Sequence, residues 1–282
     1  MQIAANMFFR QLSPSRTGKE VCKQTPLQLI VGSSGGSKPK LKNPDGRPRE
    51  PWRDTHIQIE GPVVNGFQKI FLETWKQQHG DLLDEALYFP QINEKGQELV
   101  RAIASSPDIP VNPMYATFIS AVTQAQEAVH ITNAYFAPDP QTLAAIVDAA
   151  QRGVDVKLIL PNVTDSWLVF HAGHYHYIEL LNAGVKVYER RDALLHAKTA
   201  VIDGVWSTVG STNLDWRSAV FNNEVNAVVL GTDFADEMEA IFQQDLRLST
   251  QIELTSWQQR PFTSRVKEWI GRLWERCCNQ FV

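Results

Sequence analysis

The chain has 282 residues, 43% of them hydrophobic and 21% charged, with a formal net charge of -4. That is the make-up of a folded domain with a sizeable core, and the negative balance argues against broad electrostatic binding to nucleic acid. No apolar run approaches the ~20 residues needed to span a bilayer. The three cysteines, Cys22, Cys277 and Cys278, form neither a metal-ligand spacing nor a disulfide framework, which points to a reducing compartment.

Residues 1–50 read as an irregular or disordered segment, rich in Gly, Pro, Ser and charge. Residues 27–31 are their one strand-like run. The glycine-rich residues 32–37 lack a Lys-Ser or Lys-Thr at phosphate-loop spacing, and residues 1–12 lack a signal-peptide layout. Residues 54–60 alternate apolar and polar as a strand does, and residues 63–75 repeat apolar side chains at helical spacing. Strands then follow over 98–104, 129–133, 154–160, 185–189 and 225–230. Helices fall between and after them, over 113–125, 140–151, 165–182 and 233–248. Alternation of this kind predicts an α/β fold with a mixed sheet flanked by helices.

Between the last two strands runs HAKTAVIDGVWSTVGSTN, residues 196–213. Two alternating runs around Asp203-Gly204 predict a tight β-hairpin. Residues two apart on a strand share a face, so His196 and Lys198 would project together. Ser211 and Asn213 would do the same if the strand continues past Gly210. An imidazole beside a fixed cation and two neutral hydrogen-bonding groups suits a transferring phosphoryl centre. A lone His and Lys on a strand would be surface decoration, but these stand in the spacing H-x-K-x4-D-x6-G-S-x-N.

That spacing resembles the HKD motif of the phospholipase D superfamily at every defined position. The flanking runs AYFAPD (134–139), AAQRGVDV (149–156), LHAKT (195–199) and GSTNLDWRS (210–218) are similar to bacterial cardiolipin synthases. So is PWRDTHIQIEGP (51–62), which resembles the passage after the first motif in two-motif members. The resemblance runs from about Pro51 to the C-terminus, yet no other His in the chain is followed two residues later by Lys. It implies a remnant of a first half over 51–98, a phospholipase D-like catalytic domain over 99–249 with a mixed sheet flanked by helices, and a terminal helix over 250–282.

The implied activity is phosphatidyl transfer of the cardiolipin synthase type through a phosphohistidine, without cofactor or metal. Phosphatidylglycerol would be donor and acceptor, with phosphatidylethanolamine the donor in some relatives. The resemblance makes His196, Lys198, Asp203 and Glu224 the catalytic set, with Lys198, Ser211 and Asn213 holding the phosphate. Glu224, in the run Phe221-Asn222-Asn223-Glu224, would hydrogen-bond and orient His196, whose implied role is general acid. Asp203 is expected to serve the turn more than the substrate. One motif supplies one imidazole where the reaction uses two. The expected partner is therefore a second copy of the chain or a chain carrying the other motif. A single-motif dimeric phosphodiesterase or nuclease, and a catalytically incomplete lipid-binding fragment, are the alternatives.

His171, His174 and His176 share the helix over 165–182, but no carboxylate partner is evident and the HKD reaction needs no metal. A substrate-facing or solvent-facing polar helix is expected instead. Tyr135 and Phe136 are expected to pack beneath the site. Near the end, Phe262, Val266, Trp269, Ile270, Leu273, Trp274, Cys277 and Phe281 recur every three or four residues, with Arg265, Lys267, Arg272 and Arg276 between them. Such a basic amphipathic helix suits a lipid headgroup layer; the alternative is a helix docked on the core or on another subunit. The expected setting is peripheral, on the cytoplasmic side of the cell membrane, with an anionic phospholipid as substrate and no nucleic acid partner.

Overall fold

The computed structural model describes residues 29–31, 50–80, 88–109, 111–191 and 193–279. Strands β1 (Leu29–Val31), β2 (Glu50–Arg53) and β3 (Ile57–Ile59) precede helix α1 (Val64–Gln77). Next come β4 (Leu99–Ser105), α2 (Pro113–Gln124), β5 (Ala128–Asn133), β6 (Phe136–Ala137), α3 (Pro140–Gln151), β7 (Asp155–Pro161), α4 (Trp167–Asn182), β8 (Lys186–Arg190) and β9 (Ala193–Leu195). The motif region holds β10 (Lys198–Ile202), β11 (Trp206–Gly210), β12 (Leu214–Asp215) and α5 (Trp216–Val220). The chain continues through β13 (Glu224–Leu230), α6 (Thr232–Arg247), β14 (Ser249–Gln251), α7 (Leu254–Gln258) and α8 (Phe262–Asn279).

Eight strands form one sheet in the order β14-β8-β7-β5-β10-β11-β13-β4. β5, β7 and β8 run parallel, joined by the crossover helices α3 and α4, and the other neighbours are antiparallel. The predicted mixed α/β sheet is what forms. Asn112 and Asp139 cap α2 and α3 with side-chain oxygens, and a proline opens each helix where its missing N–H costs nothing.

Alternation along β10 divides the core between the two faces of the sheet. Ala200 and Ile202 join Val129, Ile131, Leu158 and Phe118 on the side of α2 and α3, whereas Val201 joins Val209, Phe67 and Met238 on the side of α1 and α6. Ile57, Ile59 and Val64 belong to the second cluster. The stretch read as a remnant thus packs into the same body, with β2 lying parallel to β9.

Two local expectations change. The strand over 54–60 is shorter: β2 ends at Arg53, an irregular link follows, and β3 covers only Ile57–Ile59. His196 and Ala197 fall in the link between β9 and β10, with the His196 N–H donating to the Arg53 carbonyl at 2.8 Å. Most of residues 1–50, and Phe281, lie outside the described residues.

Candidate active site

The sheet's register collects one set of polar residues at one end. Lys198 stands opposite Asn133, Gly210 opposite Asn226, and Glu224 opposite Ser105. The β10–β11 turn, at the far end, has Asp203 and Gly204 both at positive φ (50° and 61°), as a type I′ hairpin requires. Asp203 is therefore separated from Lys198 by the length of β10. Its carboxylate accepts the backbone N–H groups of Gln126, Glu127 and Ala128 at 2.8–2.9 Å, and those bonds hold its pKa down against burial. The motif's Asp ties the hairpin to the start of β5 and does not reach the other motif residues.

His196 is held from three sides. Its Nδ1 lies 3.0 Å from Asp54 Oδ2, the indole of Trp52 tilts against the ring at 4.5 Å between centroids, and Tyr135 meets it edge-on at 6.3 Å. A carboxylate can only accept, so the proton of the neutral ring sits on Nδ1 and the Nε2 lone pair points away from Asp54. Asp54 came into view only as part of the 51–62 run, which gave no hint of a partner 142 residues away. Tyr135, expected beneath the site, does abut it, and its hydroxyl donates to Asp165 at 2.5 Å; burial raises its pKa.

Glu224 does not orient His196, because Asp54 takes that place. The Glu224 carboxylate accepts from the Ser218 hydroxyl at 2.8 Å and the Asn222 amide at 3.0 Å. Its Oε2 is buried with no hydrogen-bond partner among the described residues. Burial pushes its pKa up to about 6, opposed by the neighbouring Ser211, Asn222 and Ser218.

Lys198 is 4% exposed and donates from Nζ to the His196 carbonyl. Burial lowers its pKa to about 8, while the negative charges of Asp54, Glu224, Asp215 and Asp165 pull it back up. Four carboxylates from four separate stretches thus converge on one buried ammonium. At neutral pH it keeps its charge. Ser211 pins the end of β11 to β13, accepting from the Val225 N–H at 3.0 Å. Asn213 donates its backbone N–H to Ser218 Oγ at 3.2 Å, and its side-chain Oδ1 is buried without a hydrogen bond among the described residues.

The histidines of α4 diverge. His174 Nε2 lies 3.0 Å from Glu189, buried His176 faces Glu275 of α8 at 3.3 Å, and His171 packs against Trp167 and Phe170. Among the described residues no three His, Cys, Asp or Glu side chains are grouped to hold a metal ion. Helix α8 lies along α4 with a polar inner face. Glu268 accepts from Nε and Nη2 of Arg260, Glu275 takes Arg272 at 2.7 Å, and Gly271 rides on the backbone of His171 and Ala172. Phe262, Val266, Trp269, Ile270 and Leu273 point outward.

The chain resembles known proteins over most of its length. The family model described as cardiolipin synthase, PLD-like domain, matches residues 118–246. The cardiolipin synthase of Geobacillus thermodenitrificans is 38% identical over 224 residues, 79% of this chain and 45% of that protein. Cardiolipin synthase A of Pectobacterium carotovorum is 35% identical over 221 residues, 77% of this chain and 45% of that protein. The chain thus spans less than half the length of these curated relatives. The crystal structure of phosphatidylserine synthase from Haemophilus influenzae superposes with a TM-score of 0.51 at 13% identity, over 64% of this chain and 46% of that one, which shows a common fold. The chain carries the phospholipase D-like domain of the cardiolipin synthase family.

Proposed function

We propose that this chain provides one half of a phosphatidyl-transfer site of the cardiolipin synthase type, acting through a phosphohistidine. The observation that carries the reading is the His196–Asp54 pair at 3.0 Å beside buried Lys198, within a stretch 38% identical to a cardiolipin synthase. A second imidazole, from another chain, attacks the phosphorus of phosphatidylglycerol and forms the N–P bond. His196 enters this step as the imidazolium, with Nδ1–H on Asp54, and its Nε2 gives the second proton to the leaving alcohol. The hydroxyl of a second phosphatidylglycerol then attacks the phosphohistidine, returning a proton to Nε2 as the N–P bond breaks. Lys198 and Asn213 hold the phosphoryl oxygens, and Ser211 fixes the strand end that presents them. Glu224, whose Oε2 has no hydrogen-bond partner among the described residues, accepts from Nδ1 of the incoming imidazole.

The same reading puts the protein at a lipid surface. No helix of the described residues is long and apolar enough to cross a membrane. The outward stripe of α8 offers peripheral attachment to the cytoplasmic leaflet: Phe262 is 77% and Trp269 57% exposed, with Arg265 and Arg276 alongside. Trp274, on the same helix, covers the Ala137, Val169 and Ala172 cluster that Tyr135 also covers, and meets Trp216 at 5.9 Å, so the helix borders the site.

The test is incubation of the purified chain with phosphatidylglycerol vesicles, alone and with a chain bearing the other motif, beside a His196→Ala control. Cardiolipin that forms with the native chain and disappears in the control is the expected result. Vesicle binding by a folded protein with no cardiolipin in either mixture would refute it.

A further inference from the structure

Asp54 follows directly on a side chain that the phosphoryl chemistry leaves unused. Arg53 lays the side of its guanidinium against the carboxylate of Asp245, Nε to Oδ1 at 3.0 Å and Nη2 to Oδ2 at 2.8 Å. Its remaining nitrogen, Nη1, donates to the Asp54 carbonyl and to Thr55 Oγ1, the latter at 2.9 Å. Asp245 is buried in the last turn of α6, with Arg190 Nη1 a further 3.8 Å away. The Arg53 carbonyl also accepts the backbone N–H of His196. Asp54 Oδ1 is engaged by the Thr55 N–H at 2.9 Å, which aims Oδ2 at His196.

We propose that Arg53, braced by Asp245, is the positioning residue that fixes the Asp54 carboxylate and, through it, the orientation of the His196 ring. The proposal rests on the reading of His196 as the acting imidazole. Both members of the His196–Asp54 pair are located relative to one residue, His196 by its backbone N–H on the Arg53 carbonyl and Asp54 by its carbonyl on the Arg53 side chain. Only a planar fork of donors spans the helix end and the β2–β3 link together; an ammonium is a point charge and satisfies one of them. The loop carrying Asp54 is thereby locked to α6, 192 residues further along the chain.

Histidine-labelled full-length protein provides the test, because the Trp52 indole at 4.5 Å imposes a ring-current shift on the His196 carbon-bound protons. Asp54→Ala, which leaves no acceptor for Nδ1, sets the displacement of a released ring, and His176, buried between α4 and α8, reports that the fold persists. Arg53→Lys and Asp245→Asn are each expected to move the His196 signals in the same direction, by at least about half that displacement, with His176 unmoved. In the completed site each should lower kcat roughly 10-fold at unchanged KM. Where a single variant unfolds because a buried charge has lost its partner, the neutral pair Arg53→Gln with Asp245→Asn is measured in its place. His196 signals that stay at the native position in these folded variants would overturn the brace. Displaced signals in a protein that makes no product would leave the brace standing and sink the proposed activity instead.

Discussion

A buried carboxyl that titrates near 6 costs stability whenever it is ionised, and Glu224 is such a group. Its folded pKa lies above the unfolded 4.5, so the folded state holds the extra proton between those values and stability falls as pH rises from about 4.5 to 6. Glu224→Gln, which can still accept from Ser218 and Asn222, should therefore stabilise the chain by about 2 kcal/mol in urea unfolding at pH 7.5 and leave it unchanged near pH 4. Lys198 works in the other direction. It is cationic below about 8 and neutral above, so turnover in the completed site should fall on the alkaline side of pH 8. Lys198→Arg, whose charge persists, should lose that limb of the pH–rate profile even as its overall rate drops. Asp203 separates motif from chemistry. Asp203→Ala removes the acceptor of three backbone N–H groups and should cost about 2 kcal/mol of stability. Measured at a temperature where the variant is folded, its specific activity should match the native protein within about twofold.

At the scale of elements, local pattern carried far. The Asp203-Gly204 hairpin, the strand–helix alternation and four of the five helices over 113–248 were legible because apolar spacing is written within each stretch; the short α5 was not. Pairing between distant stretches was not. Nothing in the run 51–62 says that its Asp meets His196, since that contact depends on β2 lying parallel to β9. Helix α8 shows a second limit. Its apolar stripe was plain in the sequence, and the bland expectation for such a stripe is burial. The inner face is instead Glu268, Gly271 and Glu275, matched to Arg260 and to His176 of α4, a complementarity that one helix's period does not reveal. Docking and lipid contact are thus compatible, on opposite faces. Replacing Phe262, Trp269 and Ile270 with Ser should weaken binding to phosphatidylglycerol vesicles at least about 10-fold in sedimentation. The melting temperature should hold, because all three side chains are exposed. Gly271→Ala probes the other face. An added Cβ would come within 2.5 Å of the Ala172 nitrogen, so this variant should lower the melting temperature by loosening α8.

Of the four carboxylates around Lys198, two bear on an imidazole in the proposed site. Asp54 pairs with the imidazole of its own chain, and Glu224 Oε2 is buried with no hydrogen-bond partner among the described residues. In a two-fold pair of this chain, each incoming His196 would arrive with its Nδ1 already given to its own Asp54. A chain carrying the other motif would bring an imidazole whose Nδ1 needs an acceptor, and Glu224 offers one. The two arrangements separate in a mixing experiment at fixed lipid. If two copies build the site, product per chain rises with the concentration of this chain alone. If the site needs the other motif, product appears only on adding a chain that bears it, and saturates at equal amounts. The Glu224 geometry predicts the second outcome. It also predicts that Glu224→Ala in this chain will abolish the gain from mixing, by about 100-fold or more, while leaving the His196–Asp54 pair intact to the same histidine-detected measurement. A gain that survives Glu224→Ala would show that the incoming imidazole finds its acceptor elsewhere.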